Sequence, residues 1–66
     1  MNNIIYVAEN CISIMKGNPI TCPCGETWFS PFDKLFVSAY DICRSCATDT
    51  EFEEMSENIF AIIEAV

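Results

Sequence analysis

The apolar positions of the N-terminal segment recur at helical spacing. From Ile4 to Met15 they fall at i, i+3, i+4, i+7, i+10 and i+11, and they are Ile4, Val7, Ala8, Cys11, Ile14 and Met15. The run Lys16-Gly17-Asn18-Pro19 is typical of a helix end, because a cation suits the end of the helix dipole and proline cannot continue a helix. The segment predicts a helix over about residues 3–16, with a short strand over Cys11 to Met15 as the alternative.

The middle of the chain carries two runs that favour strands. Thr27 to Ser30 and Leu35 to Ile42 are rich in aromatic and β-branched residues, and Pro31 to Lys34 between them suits a turn. Side chains alternate between the two faces of a strand, and both faces of the second run are apolar. We therefore expect a hairpin that is covered on both sides, by two helices or by a helix and a partner.

The C-terminal segment predicts an acidic amphipathic helix over about residues 50–65. Thr50 with Glu53 matches a capping box, and glutamates in the first turn suit the helix dipole. The apolar residues form one stripe: Phe52, Met55, Ile59, Ile62 and Val66, widened by Phe60 and Ile63. The polar side has six carboxylates from Asp49 to Glu64 and no basic residue. Such a face invites a basic partner, and a merely solubilising face is the alternative.

Together these elements predict an α+β fold, in which a small β-hairpin region at about 20–46 is flanked by an N-terminal and a C-terminal α-helix. The length of 66 residues indicates a single domain over 1–66. Ordering the chain costs roughly 1.5 kcal/mol per residue, which a core of this size only just offsets. A structural metal contributes an apparent ~10–16 kcal/mol and would decide whether the chain folds.

The charge balance limits the classes of partner. Ten acidic residues against three basic ones give a formal net charge of −7. Binding to nucleic acid or to an anionic membrane needs clustered lysine and arginine, so we expect neither, and a basic protein surface is the more natural partner. No apolar run approaches the ~18 residues of a membrane span, and the N-terminus lacks the positive region of a signal peptide. We therefore expect a cytoplasmic protein.

Four of the five cysteines form two close pairs. Cys22 and Cys24 are separated by one residue, Cys43 and Cys46 by two, and the segment 25–42 lies between the pairs. In the reducing cytosol, paired cysteines more often bind metal than form disulfides. Because the chain has no histidine, these four cysteines predict one Zn²⁺ held by four thiolates. Cys11 is a possible substitute ligand, with a place in the core as its alternative.

The two cysteine pairs resemble the zinc-ribbon class, whose knuckles read Cys-Pro-x-Cys-Gly and Cys-x-x-Cys on either side of a β-hairpin. The matching residues, which lie within 22–46, are Cys22, Pro23, Cys24, Gly25, Cys43 and Cys46. The first pair is one residue shorter than the usual knuckle. The resemblance implies a metal and a local fold, and it implies no particular activity.

The same residues allow other interpretations. Buried free cysteines are one, and thiol–disulfide redox chemistry at Cys43 and Cys46 is another, in which Arg44 would lower the pKa of a thiol. No catalytic set is visible, since the chain has no histidine and no phosphate-binding glycine loop, so we expect no enzyme.

The sequence favours a protein that acts by binding another protein. Its small size and acidity suit a regulator or inhibitor that docks on a basic surface of nucleic-acid machinery. A structural accessory subunit, or a homodimer formed through the C-terminal helix, is the alternative. Five aromatic residues between Trp28 and Tyr40 are expected mainly in the core, which leaves one or two for an interface.

Overall fold

The computed structural model describes residues 3–66, which form helices at both ends and a two-stranded antiparallel hairpin, so the α+β fold class is confirmed. A further helix, absent from the sequence-based prediction, lies between the hairpin and the last helix. In chain order the elements are α1 (Ile4–Glu9), α2 (Cys11–Lys16), β1 (Ile20–Thr21), β2 (Thr27–Trp28), α3 (Pro31–Tyr40) and α4 (Asp49–Ala65).

The N-terminal helix predicted over 3–16 is interrupted at Asn10. The backbone N–H of Asn10 and its side-chain Nδ2 both donate to the carbonyl oxygen of Tyr6, at 3.0 and 2.9 Å. An asparagine amide can compete in this way with the helical hydrogen-bond pattern, so α1 ends and α2 begins at this residue. The predicted end at Lys16 is confirmed.

The largest difference from the sequence-based prediction is at Leu35 to Ile42, where a strand was expected and most of the segment lies in helix α3. Ser30 lies at the N-cap and Pro31 at the first helical position, which is a favourable helix start. The helix ends at Asp41, whose φ of 59° is left-handed. The apolar residues of α3 do recur at helical spacing, at Phe32, Leu35, Phe36, Ala39 and Tyr40, but its aromatic and β-branched residues also favour a strand.

The hairpin lies earlier in the chain than the pattern predicted. Ile20 pairs with Trp28 and Thr21 with Thr27, so the strands flank the first cysteine pair instead of separating the two pairs. The segment Pro31 to Lys34, expected as the hairpin turn, is the first turn of α3.

Helix α4 begins close to the predicted position, but its cap is two residues earlier. Thr48 and Glu51 form the capping box: the Glu51 N–H donates to Thr48 Oγ1 at 3.2 Å, and the Thr48 N–H donates to Glu51 Oε1 at 3.0 Å. Hydrogen bonds from the Thr48 backbone N–H and from the Thr48 side chain to the Glu51 carboxyl lower its pKa, because they favour its charged form.

Helix α3 is the centre of the molecule and packs against α1, α2 and α4. The main core consists of Val7, Cys11, Leu35, Phe36, Ala39 and Ile59, all 2% exposed or less. A second buried cluster consists of Cys22, Val37 and Cys43, with Ile20 and Trp28 packed against it. Within residues 3–66, no helix is long and apolar enough to cross a membrane.

Candidate metal centre

The first cysteine pair lies in the turn of the hairpin. The Cys22 N–H donates to the Glu26 carbonyl at 2.8 Å, and the Gly25 N–H donates to the Cys22 carbonyl at 2.8 Å. Gly25 has a φ of +102°, which residues with a Cβ rarely adopt, although no atom would lie within 4 Å of an added Cβ. The glycine is therefore required by the backbone conformation and not by lack of space. Its turn aims the thiols of Cys22 and Cys24 at the same point.

The second cysteine pair lies in the connection between α3 and α4. The N–H groups of Cys46 and Ala47 both donate to the Cys43 carbonyl, at 3.0 and 3.1 Å. This tight turn brings the Cys43 and Cys46 Sγ atoms to 3.6 Å from each other. The left-handed Asp41 and this turn together direct the chain from the end of α3 back towards the hairpin.

The fold brings all four predicted cysteines together. Their Sγ atoms all lie within 4.8 Å of one another. Across the two pairs, Cys22 and Cys46 are 3.9 Å apart and Cys24 and Cys43 are 3.7 Å apart. Sulfur atoms placed tetrahedrally around an ion at ~2.3 Å would be ~3.8 Å apart. The cluster can therefore hold one metal ion, and its arrangement is compatible with a zinc-ribbon-like site.

The four thiols differ in burial. Cys22 and Cys43 are 2% and 1% exposed, whereas Cys24 and Cys46 are exposed to solvent. Val37, Ile20 and Trp28 cover the buried side of the cluster. An ion in the cluster would thus face apolar side chains on one side and water on the other.

The thiols also compete with one another for protons. Burial raises the pKa of Cys22, and hydrogen bonds with the thiols of Cys24 and Cys43 raise the pKa of Cys46 to about 12. Burial also opposes ionisation of Cys43, but hydrogen bonds from Cys22, Cys46 and Cys24 outweigh it and lower the pKa of Cys43 to about 6. The thiolate of Cys43 is thus favoured, while Cys22 and Cys46 keep their protons. A bound cation would allow all four thiols to lose their protons, because a coordinating thiol is deprotonated outright.

Arg44, between the two cysteines of the second pair, has a different role from the one the sequence suggested. Its Nε donates to Asp33 Oδ1 at 2.8 Å, and the Asp33 side chain is 7% exposed. The guanidinium also lies 5.5 to 5.8 Å from the ring centroids of Trp28, Phe32 and Phe52. The lowering of the Cys43 pKa comes from the other thiols. Arg44 therefore connects the second cysteine pair to α3 and α4.

Lys34 was also missed as a structural residue. Its Nζ is buried and donates to the carbonyls of Met15 and Gly17, at 2.7 and 2.9 Å. A cation at the C-terminal end of α2 satisfies carbonyl groups that the helix leaves free. One signal in the sequence could have pointed to Asp33 and Lys34, namely two opposite charges next to the helix start at Ser30-Pro31.

Cys11 does not belong to the cluster. It is 2% exposed in the main core, and its Sγ lies 3.4 Å from the Met15 Sδ. Of the two roles that the sequence left open for Cys11, the structure shows the core position. No disulfide joins any of the cysteines in the part of the chain that the structure describes.

No protein-family model, no curated protein and no solved structure matches this chain.

Proposed function

We propose that this chain is a small zinc protein in which Cys22, Cys24, Cys43 and Cys46 hold one Zn²⁺ as a structural ion. The observation that supports the proposal is the approach of four Sγ atoms within 4.8 Å of one another, from two segments that are distant in sequence. Zinc and iron both accept four thiolates in a tetrahedron, and we favour zinc because four cysteines are a common set for structural zinc.

Four protein ligands would complete the coordination of the ion. A catalytic zinc keeps one position open for water or substrate, and this cluster would leave none. The proposed role of the metal is therefore to hold the hairpin turn against the α3–α4 connection. We accordingly propose that the protein is not an enzyme.

The lowered pKa of Cys43 and the 3.6 Å between the Sγ atoms of Cys43 and Cys46 favour the redox alternative, in which these two residues form a disulfide carrier. That alternative gives Cys22 and Cys24 no role, although both lie within the same cluster. A structural ion uses all four thiols, and we therefore prefer it.

We further propose that the protein acts by binding a basic surface of another protein, as a regulator or inhibitor, with nucleic-acid machinery as one source of such surfaces. The net charge of −7 supports this proposal. Two of the three basic side chains are already engaged inside the protein, Lys34 with carbonyl groups and Arg44 with Asp33. Lys34 is buried and the half-exposed Arg44 is paired with Asp33, so acidic side chains far outnumber unpaired basic ones on the surface that a partner meets.

Native mass spectrometry with and without a chelator tests the metal. We expect one zinc per chain, and we expect its removal to reduce the helical circular dichroism signal and the thermal midpoint. A coloured protein would indicate iron instead. A metal-free chain that is folded and lighter by pairs of hydrogen atoms would support the redox alternative and contradict the proposal.

Salt dependence tests the partner proposal. Immobilised zinc-loaded protein should capture a basic protein from a host lysate at low ionic strength and lose it as salt approaches 1 M, where the Debye length falls to ~3 Å. Sedimentation of the isolated protein tests the homodimer alternative in parallel. Capture that does not depend on salt would contradict the role proposed for charge.

A further inference from the structure

Helix α4 presents an acidic row with one aromatic side chain in it. Asp49, Glu53, Glu57, Phe60 and Glu64 follow one another at the three- and four-residue intervals that place side chains on one side of a helix. All five are exposed. We call these five residues the α4 stripe. At ~1.5 Å per residue it is ~22 Å long.

The aromatic residue of the α4 stripe belongs to a wider apolar surface. Phe60 is 54% exposed, and its ring centroid lies 5.0 Å from that of the half-buried Phe32 on α3. At the other end of the stripe, an open groove of about 420 Å³ is lined by Arg44, Ala47, Asp49, Phe52 and Glu53. The stripe thus offers apolar contacts at Phe60 and a recess at its N-terminal end.

The charge of this surface is strongly negative. The four carboxylates of the α4 stripe have no basic residue on α4 to offset them. Arg44 borders the groove, but its guanidinium is paired with the buried Asp33 at 2.8 Å, so that pair is close to neutral. A cationic side chain that enters the groove would therefore meet the carboxylates of Asp49 and Glu53, whereas the ring of Phe52 already lies 5.5 Å from the Arg44 guanidinium.

We infer that the α4 stripe is the surface on which a basic, amphipathic segment of a protein partner docks. The occupant carries lysine or arginine opposite the carboxylates and an apolar side chain against Phe60 and Phe32. This inference rests on the proposed function and names the surface for it. A second copy of the chain is disfavoured as the occupant, because it would bring another acidic stripe against this one.

The test uses zinc-loaded protein and a synthetic helical peptide as long as the α4 stripe, with lysines along one face and a leucine within that face. A control peptide has the same composition with the lysines distributed around the helix. Backbone amide chemical shifts report where each peptide binds, and titration gives the affinity. We expect shifts along 49–64 and around Phe32 with the first peptide, and binding at least about three-fold weaker with the control.

Matched variants separate the stripe from net charge. Glu57→Lys and Glu54→Lys change the charge equally, but Glu54 lies outside the α4 stripe. Glu57→Lys should weaken peptide binding roughly three- to ten-fold and Glu54→Lys less than about two-fold. Phe60→Ala should weaken it several-fold, whereas Phe29→Ala, at a residue that is 71% exposed, should not. Helical circular dichroism of each variant confirms that it is folded.

The outcomes distinguish this inference from the proposed function. Chemical-shift changes outside the α4 stripe and Phe32, or equal losses of peptide affinity in Glu57→Lys and Glu54→Lys, would overturn the α4 stripe as the docking surface. Salt-dependent capture of a basic protein would still support the proposed function in that case. The absence of any shift at low salt would also overturn the inference. A dimer detected by sedimentation and abolished by Phe60→Ala would identify a second copy as the occupant and contradict it.

Discussion

Cys43 and Cys11 are both buried cysteines, but their surroundings differ. Cys43 lies 3.6 Å from one thiol and 3.7 Å from another, whereas Cys11 faces the thioether of Met15 in the apolar core. A buried cysteine is in itself an ordinary core residue. The grouping of thiols is therefore what distinguishes a candidate ligand from a core cysteine here.

Cys43→Ser tests this distinction. We expect it to weaken metal binding by more than ~100-fold, because changes to residues that only support ligands already cost ~10–100-fold. Cys11→Ser should keep one metal per chain and lose ~1–3 kcal/mol of the free energy of unfolding, because it buries a hydroxyl in apolar surroundings. Native mass spectrometry measures the first effect and urea unfolding the second. Equal metal affinity of the two variants would argue against the proposed ligands.

The ion pair between Asp33 and Arg44 is a second contact whose contribution to stability depends on two individual side chains. Asp33 is 5% exposed, so removing its cation by Arg44→Ala leaves a buried carboxylate unpaired. The Arg44 side chain is 46% exposed, and solvent would moderate the loss to about 1–3 kcal/mol of unfolding free energy. The double variant Asp33→Asn with Arg44→Ala should recover part of that loss. Urea unfolding of the zinc-loaded variants measures these losses. If the double variant loses as much free energy of unfolding as the two single variants together, the two residues are not coupled.

At the scale of elements, the terminal helices were predictable because each has one apolar side. In α4, Ile59 is buried while Glu57 and Glu64 are exposed, so the sequence shows the helical period directly. Helix α3 also has apolar residues at helical spacing, but Val37 joins Leu35 and Phe36 into a continuous apolar run. Its apolar run therefore suited a strand equally well, and the decisive signal was the helix start at Ser30-Pro31.

The cysteine pairs were predictable although the hairpin around them was not. Ligand spacing is local and depends on short turns, so the sequence could single out Cys22, Cys24, Cys43 and Cys46 as candidate ligands without knowledge of the fold. The strands have two residues each, too few for any alternation to show. The charges of Asp33 and Lys34 next to the helix start could mark these two residues, but their partners depend on how α3 packs and no local pattern reveals them.

The cap of α4 gives a prediction at this scale. Thr48→Ala removes the acceptor of the Glu51 N–H and should lower the free energy of unfolding by about 1 kcal/mol. Thr50→Ala, at the position that the sequence suggested for the capping box, should change it by less than ~0.5 kcal/mol. Urea unfolding of both zinc-loaded variants measures the difference. A larger loss for Thr50→Ala would place the helix start two residues later than the structure does.

At the scale of the whole molecule, α3 joins two buried clusters. Leu35, Phe36 and Ala39 belong to the main core, while Val37 packs against Cys22 and Cys43. The radius of gyration of 10.7 Å is close to the ~10.8 Å expected of a folded chain of this length. Because the same short helix lines both clusters, a change in the positions of the four cysteines should also change the packing of the main core. We therefore expect that loss of the proposed metal lowers the free energy of unfolding of the whole chain.

This coupling predicts how stability depends on pH. In the cluster without metal, burial raises the pKa of Cys22 and neighbouring thiols raise that of Cys46 to about 12, so both hold protons at pH 7. Metal uptake must displace those protons, and the apparent metal affinity should rise by at least about two powers of ten per pH unit near neutrality. Below pH 6 the dependence should steepen, because Cys43, with its pKa of about 6, is then protonated as well.

The same thiol protons determine whether the free energy of unfolding rises or falls with pH. In the proposed zinc form, coordination would hold the thiol pKa values below those of the unfolded chain, so the stability that the metal provides should be present at alkaline pH and be lost as pH falls. Trp28, the only tryptophan, packs against Cys22 and Cys43, so its fluorescence should change when the metal is released. In an acid titration we expect the fluorescence and helical circular dichroism transitions to coincide, and to shift to higher pH when a chelator is present. If the chelator does not change the pH of the transition, the proposed ion does not stabilise the fold. In the control variant Cys43→Ser we expect no dependence of the transition on the chelator.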